Sequence, residues 1–471
     1  MSYAPTTGRA APPPAPAAPP RTAWREGVDR VRAAATTEPG RLRIIGAVLA
    51  ALVVAFGAVT AWQVSERQTA ADAVAEHSQP LSADAAQVYR SLADADTTAA
   101  SGFLAGGKEP AQVRQRYERD INTASKLLVR AAANTEGSAS AREEIRKINQ
   151  LLPAYTGLVE SARANNRQGL PLGGAYLRYA NDTMRDQLLP AAGRLYEAET
   201  ARLGEDYGDA KAWPWVAIGT GVLALGALGW VQRRNYRRTN RVFNHGLLAA
   251  TAASTVVLLW LVVGHAVARA ELNDSDDHGA KSLRVLNEAR IDSLRARADE
   301  NLTLVARGAV TVDKDGSNKG KDAYEVSYGS RMADLVGDAG GGAKRPAAGS
   351  LLDQARGLAD DGAGRDPVEA AATGVREWQV RHKAARSADD AGDYKKALEQ
   401  VIGAKDSTGE SFDVVDTQLA KALDHEQREF QRAADDGRGA FTAMAVGAGV
   451  LAAVGAASAL LGIGRRLSEY R

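Results

Sequence analysis

Four stretches of this chain run for about 20 residues each without a single Asp, Glu, Lys or Arg: 44–64, 213–231, 246–268 and 441–463. A helix rises about 1.5 Å per residue, so each stretch is long enough to cross a hydrocarbon core of about 30 Å. The pattern predicts an all-α, polytopic membrane protein with four transmembrane helices. The polar sequence falls between them as a tail (1–43), a large block (65–212), a short link (232–245), a second large block (269–440) and a stub (464–471).

Inside the first block the apolar positions take helical spacing. Leu81, Ala85, Val88, Leu92, Ala95, Ala99 and Gly102 alternate steps of four and three, which is a seam that packs against neighbouring helices. Gly106, Gly107 and Pro110 stop it, and further helices are expected at about 111–134, 138–167 and from Pro171 towards Trp213. Four antiparallel helices would return the chain to the membrane it left. Gln150-Leu-Leu-Pro-Ala154 recurs as Gln187-Leu-Leu-Pro-Ala191, and a proline inside a helix should bend it. The second block repeats this logic. A helix through Leu283–Val305 continues the third span, helices follow near 322–336, 350–360, 366–388 and 392–403, and a last one runs from about Ser411 into the fourth span. The layout is span, helical bundle, span, twice over, with two extracytoplasmic bundles acting as sensor domains.

Charge then assigns the sides. The tail holds seven Arg against three acids, the link five Arg and no acid, and the stub three Arg against one acid. With a net charge of only +2 for the chain, the two large blocks are acidic by difference. The positive-inside rule therefore puts both termini and the link in the cytoplasm and both blocks outside, in a bacterial plasma membrane. Arg41, Arg43, Arg233, Arg234, Arg237, Arg238, Arg241, Arg465 and Arg466 are read as topology determinants and lipid head-group contacts, not as a nucleic-acid surface. The Pro/Ala-rich residues 1–22 cannot build a core, and 23–35 has the pattern of a short amphipathic helix. Cysteine is absent, so the outer blocks hold together without disulfides. In the fourth span Ala445, Gly449, Ala453 and Ala457 form a small-residue face for close helix packing, which would also serve a homodimer.

Catalytic signatures are missing. There is no phosphate loop, HExxH or Gly-x-Ser-x-Gly, and the spans carry no charge that would mark an ion pathway. His77, His245, His265, His278, His382 and His425 are scattered, read as solvated or satisfied structural residues, with no partner at metal-ligand spacing. No enzyme activity, cofactor or metal is expected. One stretch stands apart: Asp94, Asp96, Thr97 and Thr98 cluster polar groups around small seam residues and are the candidate partner- or ligand-docking site, against a plain solvated flank.

Tyr89–Gly107, with its run Ala-Asp-Ala-Asp-Thr-Thr-Ala-Ala-Ser-Gly, together with the layout, resembles the GlnX family of actinobacterial membrane proteins; Leu170–Tyr179 adds to this loosely. The resemblance implies a transmembrane signal transducer. An extracytoplasmic solute-binding lipoprotein, GlnH, would present acidic amino acids or their amides. A cytoplasmic Ser/Thr kinase, PknG, would receive the signal and adjust carbon and nitrogen metabolism. A different class of function, a structural or accessory subunit of an envelope or transporter complex, fits the same layout.

Overall fold

The computed structural model describes residues 38–134, 138–239, 244–313, 316–337 and 345–468. Residues 1–37 of the tail, Arg241 and the end of the stub lie outside the described residues, as do the side chains of Arg238, Ala445, Arg465 and Arg466. The fold is all-α. Among the described residues the one β feature is an isolated bridge between Thr311 and Asp322.

The helices, in order, are α1 (Glu38–Ala73), α2 (Gln79–Leu104), α3 (Ala111–Asn134), α4 (Ala139–Arg167), α5 (Leu172–Thr183), α6 (Leu189–Lys211), α7 (Trp215–Thr239) and α8 (His245–Asp274). They continue with α9 (Lys281–Ala306), α10 (Ala323–Val336), α11 (Leu351–Leu358), α12 (Gly362–Asp390), α13 (Tyr394–Ile402) and α14 (Thr408–Ser468). Three π-helical turns join neighbours: π1 (Val74–Ser78), π2 (Met184–Leu188) and π3 (Ser275–Ala280). Pro80 and Pro190 each stand two residues beyond a π turn. A proline ring collides with the carbonyl four residues back, and widening the preceding turn relieves that collision. The expected bend at Pro190 thus takes the form of a π turn, whereas Pro153 is accommodated inside α4 without one.

The chain divides into two compact units. The apolar unit gathers residues up to Ala61, Trp215–Leu261 and the segment from Val446. Three helical stretches, within Gly40–Leu104, Leu172–Arg237 and His245–Asp274, are long and apolar enough to cross a membrane. The described apolar part of the fourth expected span, Gly449–Gly462, lies inside α14. Leu49 and Val53 of α1, Leu228 of α7, Ala250 of α8 and Ala459 of α14 share one buried cluster. Small residues set the spacing. A Cβ on Gly221 would lie 2.7 Å from the Phe56 ring, and one on Gly246 only 2.4 Å from Gly462 Cα. On α14 the stripe that makes these contacts is Ala452, Gly455, Ala456, Ala459 and Gly462. Gly449, Ala453 and Ala457, expected to pack, are exposed within the single chain, so any packing they do is with another molecule. Arg41, Arg43, Arg233 and Arg237 are exposed, and Arg234 lies 5.5 Å from the Trp230 ring centroid.

The polar unit comprises Trp62–Pro214 and Val262–Ala445. In the first segment α2, α3, α4 and the α5–α6 pair make the expected four-helix arrangement. The second does not stand beside it as a separate body. Leu92, Tyr155 and Leu195 of the first segment belong to the same hydrophobic core as Leu294, Trp378 and Leu419 of the second. The joint is α2 against α9. Of the 26 residues of α9, 19 are buried, so it is enclosed on nearly every side by α2, α10, α11 and their neighbours.

Candidate functional site

Three hydrogen bonds define how α2 meets α9. Arg90 donates to the Asn287 side-chain oxygen, Thr97 Oγ1 donates to the Leu294 carbonyl (2.8 Å), and Asn301 Nδ2 donates to Ser101 Oγ (2.7 Å). The partners are separated by 197, 197 and 200 residues. A near-constant offset means that the two helices run parallel and in register. Enclosure on all sides leaves their polar residues no water, so each must find a partner inside the protein.

Asp94 faces outward from this pair. Its Oδ2 accepts from Arg116 Nε at 3.0 Å, and Thr98 Oγ1 reaches its Oδ1 at 3.4 Å. Arg116 also holds Asp416 of α14 (3.2 Å), and Asp416 accepts from Arg290 Nε of α9 (2.7 Å). One alternating chain of charges therefore ties α2, α3, α14 and α9. Burial lifts the Asp94 carboxyl above its ordinary range despite the Arg116 charge.

Asp96 turns the other way. It is fully buried and accepts from Asn181 Nδ2 (2.7 Å) and the Tyr155 hydroxyl (3.3 Å). Both donors are neutral. Burial pushes its pKa up to about 6, against the opposing hydrogen bond from Asn181. Beside it, Arg185 pairs with Asp299 of α9 and donates to Ser327 Oγ of α10 at 3.1 Å. The cleft among Asp96, Asn181, Arg185, Arg295 and Asp299 measures about 10 Å³, room for one water and not for a solute.

Asp94, Asp96, Thr97 and Thr98 thus do not converge on one surface. Asp94 and Thr98 join the α3–α14 network, Asp96 faces α4 and α5, and Thr97 holds α9.

A third cluster was not visible in the sequence. Glu300, adjacent to Asn301 on α9, is fully buried. It accepts from Arg297, from Trp378 Nε1 (3.1 Å) and from Thr408 Oγ1 (2.9 Å), and its other oxygen stands 2.9 Å from His382 Nδ1. The opposite ring nitrogen of His382 faces Glu325 at 3.1 Å, and the imidazole stacks on Tyr328 with centroids 3.8 Å apart. Burial opposes charge on His382, but the bonds to Glu300 and Glu325 outweigh it and lift its pKa to about 9. Glu300 is displaced downward: Arg297 and His382 overcome the cost of its burial. The histidine is satisfied, as expected, and charged at neutral pH.

At the other end of the unit the last turn of α6 is clasped from several sides. Arg67 Nε donates to the Ala212 carbonyl (3.2 Å) and Arg269 Nη1 to the Lys211 carbonyl (2.6 Å). Tyr207 and Ser275 share a hydrogen bond of 2.6 Å, and Lys211 pairs with Asp276 at 2.7 Å. α1, α8 and π3 are thereby coupled to the helix that leads into α7.

The fold is thus an all-α one in which parallel helices extend apolar segments and are joined by buried polar contacts. Residues 70–208 match the family model for the actinobacterial sensor domain, which supports a sensing role for that segment. The match runs from the end of α1 into the last turn of α6 and contains Asp94, Asp96, Thr97 and Thr98. No curated protein and no solved structure matches the chain.

Proposed function

We propose that this chain is a transmembrane signal transducer without catalytic activity of its own. Its polar unit lies outside the plasma membrane and docks an extracytoplasmic solute-binding lipoprotein of the GlnH kind, loaded with an acidic amino acid or its amide. Both termini and the Arg-rich link lie in the cytoplasm, where they reach a Ser/Thr kinase of the PknG kind.

One observation carries the reading. The sensor-type segment 70–208 is entered through α1, whose apolar stretch precedes it without a break, and left through α6 into apolar α7. The resemblance of Tyr89–Gly107 to GlnX supplies the identity of the partners. The parallel α2–α9 pair supplies a means. A loaded lipoprotein that prefers one arrangement of the pair shifts the chain towards it. A translation of only about 1–2 Å is enough for such helix-borne signals.

Calorimetry of the full chain in nanodiscs against the cell's amino-acid-binding lipoprotein tests this, with and without aspartate, glutamate, asparagine and glutamine. Affinity that depends on the amino acid is the expected result. Equal binding with and without it, or none, contradicts the transducer and leaves a structural or accessory subunit.

A further inference from the structure

We propose that Asp361, His425 and Glu429 form a binding site for one divalent transition-metal ion of the zinc class, joining the start of α12 to α14. The three potential ligand atoms lie within 4.8 Å of one another. His425 Nε2 is 3.1 Å from Asp361 Oδ1 and 3.4 Å from Glu429 Oε1. Zinc bonds of about 2.0–2.1 Å at tetrahedral angles place neighbouring ligand atoms ~3.3 Å apart, which the two distances from His425 Nε2 already match.

Two described histidines of this segment, His382 and His425, make the case by contrast. At His382 each ring nitrogen has its own carboxylate, Glu300 on Nδ1 and Glu325 on Nε2. That is how a charged imidazolium with two N–H donors is satisfied. At His425 two different carboxylates converge on the same nitrogen. A single N–H serves both only through a divided bond, whereas a metal ion bonded to that nitrogen takes both as ligands. His425 and Glu429 are one helical turn apart and so share a face of α14. Asp361 is held in place because its Oδ1 also accepts from Gly364 N at 2.8 Å, the kind of outer hydrogen bond that orients a ligand. Gly364 permits the approach: a Cβ there would lie 2.7 Å from Glu426 Oε1 and 3.3 Å from His425 Cδ2.

The local charge favours a cation. Asp360, next to Asp361 in the chain, adds a further carboxylate to this region. Two nearby arginines are engaged elsewhere, Arg365 on the Ala359 carbonyl (3.1 Å) and Arg428 on Asp424. The Asp361 side chain is 49% exposed, which gives an ion its entry and a water its place as a further ligand. Sequence reading found no metal-ligand spacing because the third group comes from 64 residues away.

The experiment uses the tag-free full chain in detergent, stripped with chelator and titrated with Zn²⁺ against a chromophoric competitor. Wild type should bind one Zn²⁺ per chain, and His425→Gln and Glu429→Gln should each weaken it more than about tenfold. His425→Lys keeps a cation between the carboxylates but supplies no imidazole. Zn²⁺ should raise the melting temperature of wild type and leave that variant unchanged. If His425→Gln does not fold, Glu429→Gln carries the comparison. Equal Zn²⁺ affinity in wild type and variants, or no binding by wild type at micromolar metal, overturns the proposal.

Discussion

Two buried carboxylates on the α2–α9 pair, Asp96 of α2 and Glu300 of α9, are treated oppositely. Asp96 precedes Thr97, and Glu300 precedes Asn301, whose amide lies 3.5 Å from the Thr97 carbonyl. Asp96 receives neutral donors, Asn181 and Tyr155, and its pKa rises to about 6. Glu300 receives Arg297 and His382 and stays ionised. Burial is the same cost in both places, and only cationic partners overcome it. The first half of the seam therefore titrates between acid and neutral pH, while the second is a fixed ion cluster.

The largest expected effect removes that fixed cluster. His382→Ala leaves Glu300 with fewer charged donors in a dry site and should cost about 3–5 kcal/mol of unfolding free energy. Chemical denaturation of the full chain in detergent, followed by helical circular dichroism, measures it. Asp96→Asn should act in the opposite direction. The folded pKa of Asp96 lies above its unfolded value, so its contribution is present in full below the ordinary carboxylate range and lost as pH rises through about 6. At pH 7.5 the variant should be more stable than wild type by up to ~3 kcal/mol, with the difference closing in acid. A variant less stable than wild type at pH 7.5 would break the comparison.

The His382 pKa is also raised, so its contribution is complete below the ordinary histidine value of 6.5 and is lost as pH climbs through about 9. Melting temperature should fall across that window in wild type and lose that dependence in His382→Gln. The smallest effect tests the joint itself. Thr97→Val deletes the hydrogen bond to the Leu294 carbonyl and should cost about 1 kcal/mol, read by the same denaturation.

Much of the fold was legible because polar and apolar faces alternate where a helix has one wet side. α3 begins and ends at Ala111 and Asn134, where its periodicity and the Gly106-Gly107-Pro110 stop placed it. The joint between the two polar segments was not legible. A periodic stripe says that a face is covered but not by which segment, and in α9, enclosed all round, the apolar stripe through Leu283–Val305 gives no sign that the polar positions between are buried too. Its Asn287, Arg297 and Glu300 have the composition of a surface. The candidate stretch at Asp94–Thr98 was found by its small residues, but which way each side chain turns depends on α4, α5, α9 and α14, which periodicity does not place. The π turns left only an indirect trace in Pro80 and Pro190.

Either polar segment alone would expose one side of the α2–α9 joint. Cysteine is absent, so two introduced thiols are unique labels. The most direct test places spin labels at Val129 on α3 and Val380 on α12, both exposed, and measures their distance in nanodiscs by pulsed electron resonance. Adding the amino-acid-loaded lipoprotein should shift the distribution by about 1–2 Å or more, and the unloaded form should not. An unchanged distribution in a complex shown to have formed would contradict the relay.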